Sequence, residues 1–254
     1  MDYQITWLTG SLLVASGVLA GFINALAGGG SLLTLPALML LGMPADIANA
    51  TNRVGVFLQS LEGTRSFNRH GKLARDAIVP ILVPTVSGSL AGALIASYLP
   101  ATVLEPVLLL TMIAMAVLIV LRPATVAPPL GTEPLRLKDS PIGWISLFAA
   151  GLYGGFVQAA VGFVLIAALA GALRYDLVRA NALKLACTAI FSGVALVVFV
   201  IRDQVLWVPG LMLALGTVVG VRLSVRVAIS VDQNVLRWVL LVMVIAVCLA
   251  AWLK

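Results

Sequence analysis

Histidine occurs once in this chain of 254 residues and cysteine twice, and both scarcities exclude chemistry. A single His70 with Cys187 and Cys248, each inside an apolar run, cannot assemble a metal centre or a secreted disulfide framework. Ser31 follows a glycine cluster, but the spans contain no His and acid constellation to activate it, so a hydrolase is excluded and no cofactor is called for. Acidic residues are also few, 10 against 16 basic ones. A cation carrier needs buried carboxylates, and only Glu62 and Glu105 lie near the spans, both close to their ends. Charge of either sign is thin at 10%, whereas 61% of residues are apolar. With a mean hydropathy of +1.11, that balance defines an integral membrane protein. The basic excess serves orientation in the bilayer rather than nucleic-acid binding. The opening "MDYQITW" lacks the positive region of a signal peptide, so the first helix is expected to stay.

Apolar runs predict spans near residues 77 to 98, 102 to 121, 178 to 200, 206 to 223 and 235 to 253, each long enough to cross about 30 Å of hydrocarbon. Long helices are also expected at about 7 to 26 and 142 to 160. Each is followed by a glycine-bearing break, at Gly28 to Gly30 and at Gly162, and then by an apolar segment too short to cross alone, residues 31 to 42 and 163 to 173. Residues 47 to 65 predict a helix of the right length that is oddly polar. Pro36, Pro80, Pro84 and Pro209 are expected to kink their helices.

The order of elements occurs twice. Gly21, Phe22, Ala25 and Gly28 match Gly155, Phe156, Ala159 and Gly162 at a shift of 134, Asp46 and Ala50 match Asp176 and Ala180 at 130, and Gly88 and Gly92 match Gly216 and Gly220 at 128. A near-constant shift is the mark of a duplication. Gly88, Gly92 and their counterparts form small-xxx-small pairs that let helix backbones approach. The loop over residues 66 to 76, "SFNRHGKLARD", with Arg65 just before it, is basic and is expected to face the cytoplasm; its counterpart is only "RDQ". On the opposite loops the bias reverses, with Arg222, Arg226 and Arg237 in the second half. The fold class expected is therefore an all-α polytopic helical bundle of two inverted-topology repeats, each a broken or re-entrant helix pair followed by three spans. Residues 7–121 form repeat 1, residues 122–141 a proline-rich cytoplasmic linker and residues 142–253 repeat 2, within one membrane domain. Inverted repeats with interrupted helices point to a secondary transporter with a midplane site. The alternative is an anion channel of repeated halves with re-entrant helices.

The stretch "GFINALAGGGSLLTLPALML", followed by "ADIANATNRVGVF" and echoed in the second half, resembles the TauE/SafE family over essentially the whole chain. That resemblance implies a bacterial inner-membrane permease or exporter for sulfite, sulfonates or related organosulfur anions.

The residues themselves argue for an anion. Asn49, Asn52 or Arg53, and Gln59 or Ser60 recur at helical spacing, as do Asn181, Lys184, Thr188 and Ser192. A cation deep in a span costs on the order of 3 kcal/mol and should face a cavity or a partner. A short helix starting after "GGG" adds a positive dipole end. The candidate substrate site is Asn24, Gly28, Gly29, Gly30, Ser31, Asn49, Thr51, Asn52 and Arg53 from one half with Gln158, Gly162, Asn181 and Lys184 from the other. The competing readings are an ordinary turn at Gly28 to Gly30, snorkelling of Arg53 and Lys184, and asparagines acting only as interhelical glue. Asp46 and Asp176 are read as N-caps, and His70 as a solvated loop residue. The partners expected are a small anion and the lipid bilayer. Proton coupling, oligomeric state, exact substrate and direction are left open.

Overall fold

The computed structural model describes residues 7–26, 28–121 and 132–230. The expected last helix at 235 to 253, Arg237, Cys248 and residues 122 to 131 of the linker lie outside the described residues. The fold is all-helical: α1 (Trp7–Leu26), α2 (Ser31–Leu40), α3 (Ala45–Arg69), α4 (Arg75–Tyr98), α5 (Ala101–Leu121), α6 (Pro141–Phe156), α7 (Val161–Ile166), α8 (Leu177–Ile201) and α9 (Trp207–Ser230). A π-helical turn, Ala167–Ala172, prolongs α7, and a 3-10 turn, Leu137–Asp139, precedes α6. Among the described residues α1, α4, α8 and α9 are long and apolar enough to cross a membrane. Large apolar side chains such as Val79, Leu110, Ile145 and Leu215 stand exposed on the helix bundle, as a lipid-facing surface requires.

Helix pairing crosses the two halves of the sequence. The most extensive contacts join α1 to α9 and α4 to α6, so the first helix of each half lies along a long helix of the other. Glycines set these contacts. A Cβ on Gly88 would meet the backbone of Phe148 and Leu152, and one on Gly216 would meet that of Val14 and Val18. Hydrocarbon offers no apolar driving force, so such backbone approach is what holds spans together. Serines then tie neighbours: Ser89 Oγ donates to the Phe191 carbonyl at 3.0 Å and Ser224 Oγ to that of Phe22 at 2.8 Å.

Several boundaries differ from those expected. The polar helix is longer, so Arg65 and Arg69 sit in the last turns of α3 and Arg75 opens α4, leaving residues 70 to 74 as the loop. The second break falls at residues 157 to 160 rather than at Gly162. Gln158 and Ala160 take left-handed conformations with φ of 64° and 57°, which ends α6 four residues early. Gly162 lies instead in the first turn of α7. Pro209 lies in the first turn of α9, where its missing N–H interrupts no helical bond. Asp176 caps α8, its carboxylate accepting from the Arg179 N–H at 2.9 Å. Asp46 instead follows the cap Pro44 and lies within the first turn of α3.

Candidate functional site

The first break meets the first turn of α7. Gly28 is left-handed, with φ of 93°, and its Cα faces that of Gly162 so closely that a Cβ on either would strike the other's backbone. These are the two glycines the sequence pairs at a shift of 134. Gly29 leaves room for the Phe163 ring, whose Cε2 would lie 2.9 Å from a Cβ at that position. Around the junction stand α3 and α8, which pack against each other and carry the polar side chains.

The two basic residues are fully buried, Arg53 at 0% and Lys184 at 1% exposure, which removes the snorkelling alternative. Each reaches the broken helix of the opposite half. The Arg53 guanidinium donates from one terminal nitrogen to the Gly154 carbonyl at 2.5 Å and from the other to that of Gly155 at 2.7 Å. It also lies 5.2 Å from the centre of the Phe199 ring, a cation–π distance. Lys184 Nζ donates to the carbonyls of Asn24 at 2.8 Å and Ala25 at 3.0 Å, at the end of α1, and to Asn181 Oδ1 at 2.7 Å. The last turn of a helix leaves its carbonyls unbonded and carries the negative end of the dipole, so a cation there is stabilised twice.

The remaining predicted residues divide. Asn49 Nδ2 donates to the Phe156 carbonyl at 2.9 Å, beside the Arg53 anchor. Asn52 binds the first short helix, accepting from Thr34 Oγ1 at 2.7 Å and donating to Ser31 Oγ at 3.4 Å. Gln158 Nε2 donates to Ser192 Oγ at 2.7 Å. Asn24 takes part through its backbone. Thr51 does not join them; its hydroxyl accepts from the Leu206 N–H and so fixes the chain ahead of α9. Thr34 and Phe199 contact the candidate site residues Asn52 and Arg53 and were missed by the motif reading. Thr34 was legible three positions after Ser31 on the same face of α2, whereas nothing local marks Phe199.

Buried polar atoms are left over. Arg53 Nε and Asn181 Nδ2 are donors without a partner, and Asn49 Oδ1 and Gln158 Oε1 are acceptors without one. The ion pairs among the described residues are Arg179 with Asp176 and Arg222 with Glu62, so neither Arg53 nor Lys184 has a carboxylate. Among the described residues the two buried basic side chains are therefore met by carbonyl dipoles, an amide oxygen and the Phe199 ring rather than by a carboxylate.

Comparison with known proteins identifies relatives of the chain. The family model described as "Sulfite exporter TauE/SafE" matches residues 13–251. The chain is 30% identical over 237 residues to the probable membrane transporter protein YfcA of Escherichia coli (strain K12), a match covering 92% of this chain and 86% of that protein. A probable membrane transporter protein of Haemophilus influenzae is 26% identical over 245 residues, 96% of this chain and 93% of its own. The probable membrane transporter protein ORF9 of a Sinorhizobium species is 25% identical over 241 residues, 94% and 90% of the two chains. No solved structure matches the chain.

Proposed function

The chain belongs to the TauE/SafE family of membrane transporters, and from that premise we propose that it is a secondary carrier of the bacterial inner membrane that moves a small sulfur oxyanion, sulfite or a sulfonate, by alternating access. The observation that carries the reading is the pair Arg53 and Lys184, buried at the helix breaks with no carboxylate among the described residues. A buried charge without a counter-charge costs several kcal/mol, of which helix-end dipoles offset only part. A bound anion offsets the rest. The spare donors Arg53 Nε and Asn181 Nδ2 are of the kind that oxyanion oxygens accept from.

The two halves are read as inverted repeats. In support, matching α1 with α6 and α4 with α9 turns the α1–α9 contact into the α6–α4 contact, a shift of 134 exchanges Gly28 with Gly162, and the shift of 130 that pairs Asp46 with Asp176 exchanges Arg53 with Lys184 within one residue. Each cation binds the other half's helix end, so the halves are tied by two sets of hydrogen bonds between the same kinds of groups. An oxyanion can replace the carbonyls of Gly154, Gly155, Asn24 or Ala25 as acceptor for either cation. That exchange releases one helix end at little net cost and lets one half move against the other. A monovalent anion leaving a negative interior gains about 2.3 kcal/mol per 100 mV, so the potential alone drives export.

The test is counterflow in proteoliposomes. Unlabelled sulfite or a simple sulfonate on one side should accelerate movement of labelled substrate from the other. Ohmic conductance without counterflow, or no flux of either anion, overturns the proposal.

A further inference from the structure

A second feature lies at the level where α4 and α8 begin. A cavity of about 590 Å³ is walled by the first turns of α4, the segment ahead of α6 and the start of α8, and it shares no residue with the Arg53 and Lys184 site. Its walls are ordered by the sequence. The Leu135 N–H donates to the Leu173 carbonyl at 2.9 Å, and the Ser140 hydroxyl caps α6 by accepting from the Gly143 N–H at 3.1 Å. Residues 135 to 140 are thus held at both ends.

The lining is amphipathic. Ile81 and Leu173, both buried, give it an apolar floor, while Pro80 is exposed beside Val79, which is 71% exposed on the outer face of α4. Arg136, Lys138, Arg179 and Asp76 supply the charge. Arg179 is engaged with Asp176 at 3.4 Å, and the ion pairs found among the described residues leave Arg136 and Lys138 without a carboxylate. Asp76 is close enough to the phenol of Tyr175 for its charge to be felt there. Burial first, and then Asp76, hold that phenol above its ordinary pKa, with Arg179 acting in the opposite sense. The cavity therefore offers two unpaired cations and one carboxylate over apolar ground that continues toward an exposed helix face. A soluble anion would meet Asp76 as a repulsion. An anionic phospholipid would meet the same repulsion, whereas a headgroup with both signs satisfies all three groups.

We propose that this cavity binds a phospholipid whose headgroup carries a phosphate and a primary ammonium, with Arg136 and Lys138 on the phosphate, Asp76 on the ammonium and acyl chains along the apolar floor toward Pro80. The site is independent of the transport reading, since its test reads lipid binding rather than flux.

The purified full chain would be transferred into mixed micelles of phosphatidylcholine doped with phosphatidylethanolamine or with phosphatidylglycerol. Retained lipid is read by native mass spectrometry and stability by the thermal midpoint. Phosphatidylethanolamine is expected to be retained about tenfold over either competitor, the effect of one charge-assisted hydrogen bond. Asp76→Asn should erase that margin while leaving basal phospholipid retention, and Arg136→Gln with Lys138→Gln should lower retention of all three lipids. These side chains are exposed, so the variants test binding rather than folding. Equal or greater retention of phosphatidylglycerol, an undiminished margin in Asp76→Asn, or full displacement by soluble glycerophosphoethanolamine would each overturn the proposal.

Discussion

The two helix breaks do the same work with different residues. The first turns on Gly28, whose φ of 93° suits glycine, and the second turns on Gln158 and Ala160, which hold left-handed conformations despite their side chains. The charges differ likewise. Arg53 spreads over the end of α6 through two nitrogens and rests on Phe199, whereas Lys184 gathers the end of α1 and Asn181 onto one ammonium. The two halves share the position of a bend and of a positive charge and differ in the residue that supplies each.

The largest test of that difference is Gly28→Ala. A left-handed alanine costs about 1–2 kcal/mol, and forcing a methyl against the Gly162 backbone adds about 1–3 kcal/mol of overpacking. Gly162→Ala meets the same wall from the other side without the φ penalty. Both should lower the thermal midpoint and abolish counterflow, Gly28→Ala more severely. Equal damage from the two would mean that space alone, not backbone conformation, decides the first break.

Next in size is an exchange of the cations. Arg53→Lys loses the two-nitrogen grip on Gly154 and Gly155 and the seat on Phe199, together about 2–3 kcal/mol. Lys184→Arg must fit a larger, planar group among Asn24, Ala25 and Asn181, an overpacking of about 1–3 kcal/mol. The double variant should be no better than the worse single one in thermal unfolding. If it recovers wild-type stability and transport, the halves are chemically interchangeable and the comparison fails.

Much of this was legible in the sequence for physical reasons that act locally. Apolar run length predicts α4, α5, α8 and most of α9, because a bilayer fixes how many residues must be buried. The glycine triplet predicts the first break, since few other residues bend so readily. The second break was set four residues late because Gln158 and Ala160 carry no glycine signal; their conformation is imposed by neighbours, including the Tyr153 hydroxyl that donates to the Ala159 carbonyl at 2.6 Å. The burial of Arg53 and Lys184 was expected from their depth. Their partners were not, because a backbone carbonyl 101 or 160 positions away leaves no mark on local sequence. Asn49 and Asn52 bond the end of α6 and the start of α2, and Asn181 bonds Lys184, as the helical stripes suggest, while Thr51, on the same helix as Asn49, points to Leu206 because α9 starts beside it.

A smaller effect separates the anchors of the two short helices. Ser192→Ala removes the acceptor of Gln158 Nε2 when Gln158 Oε1 is already unpaired, so a whole buried amide loses its partners, at about 1–3 kcal/mol. Thr34→Val removes the donor to Asn52 Oδ1, but Asn52 keeps Ser31 and the cost should be about 1 kcal/mol. Thermal unfolding of both variants should rank them in that order, and a reversed order would place the more demanding anchor in the first half.

The smallest expected change is the most discriminating. Ala160→Gly relieves a left-handed alanine, worth about 1 kcal/mol, but frees the unfolded chain by about 0.4–1 kcal/mol and removes a buried methyl packed with Leu32, Leu104 and Val157. These terms oppose one another, so the thermal midpoint should move by no more than a degree or two, against the collapse expected of Gly28→Ala at the corresponding bend. A loss of about 2 kcal/mol or more in Ala160→Gly would show that the second break selects its alanine for packing in spite of its backbone conformation.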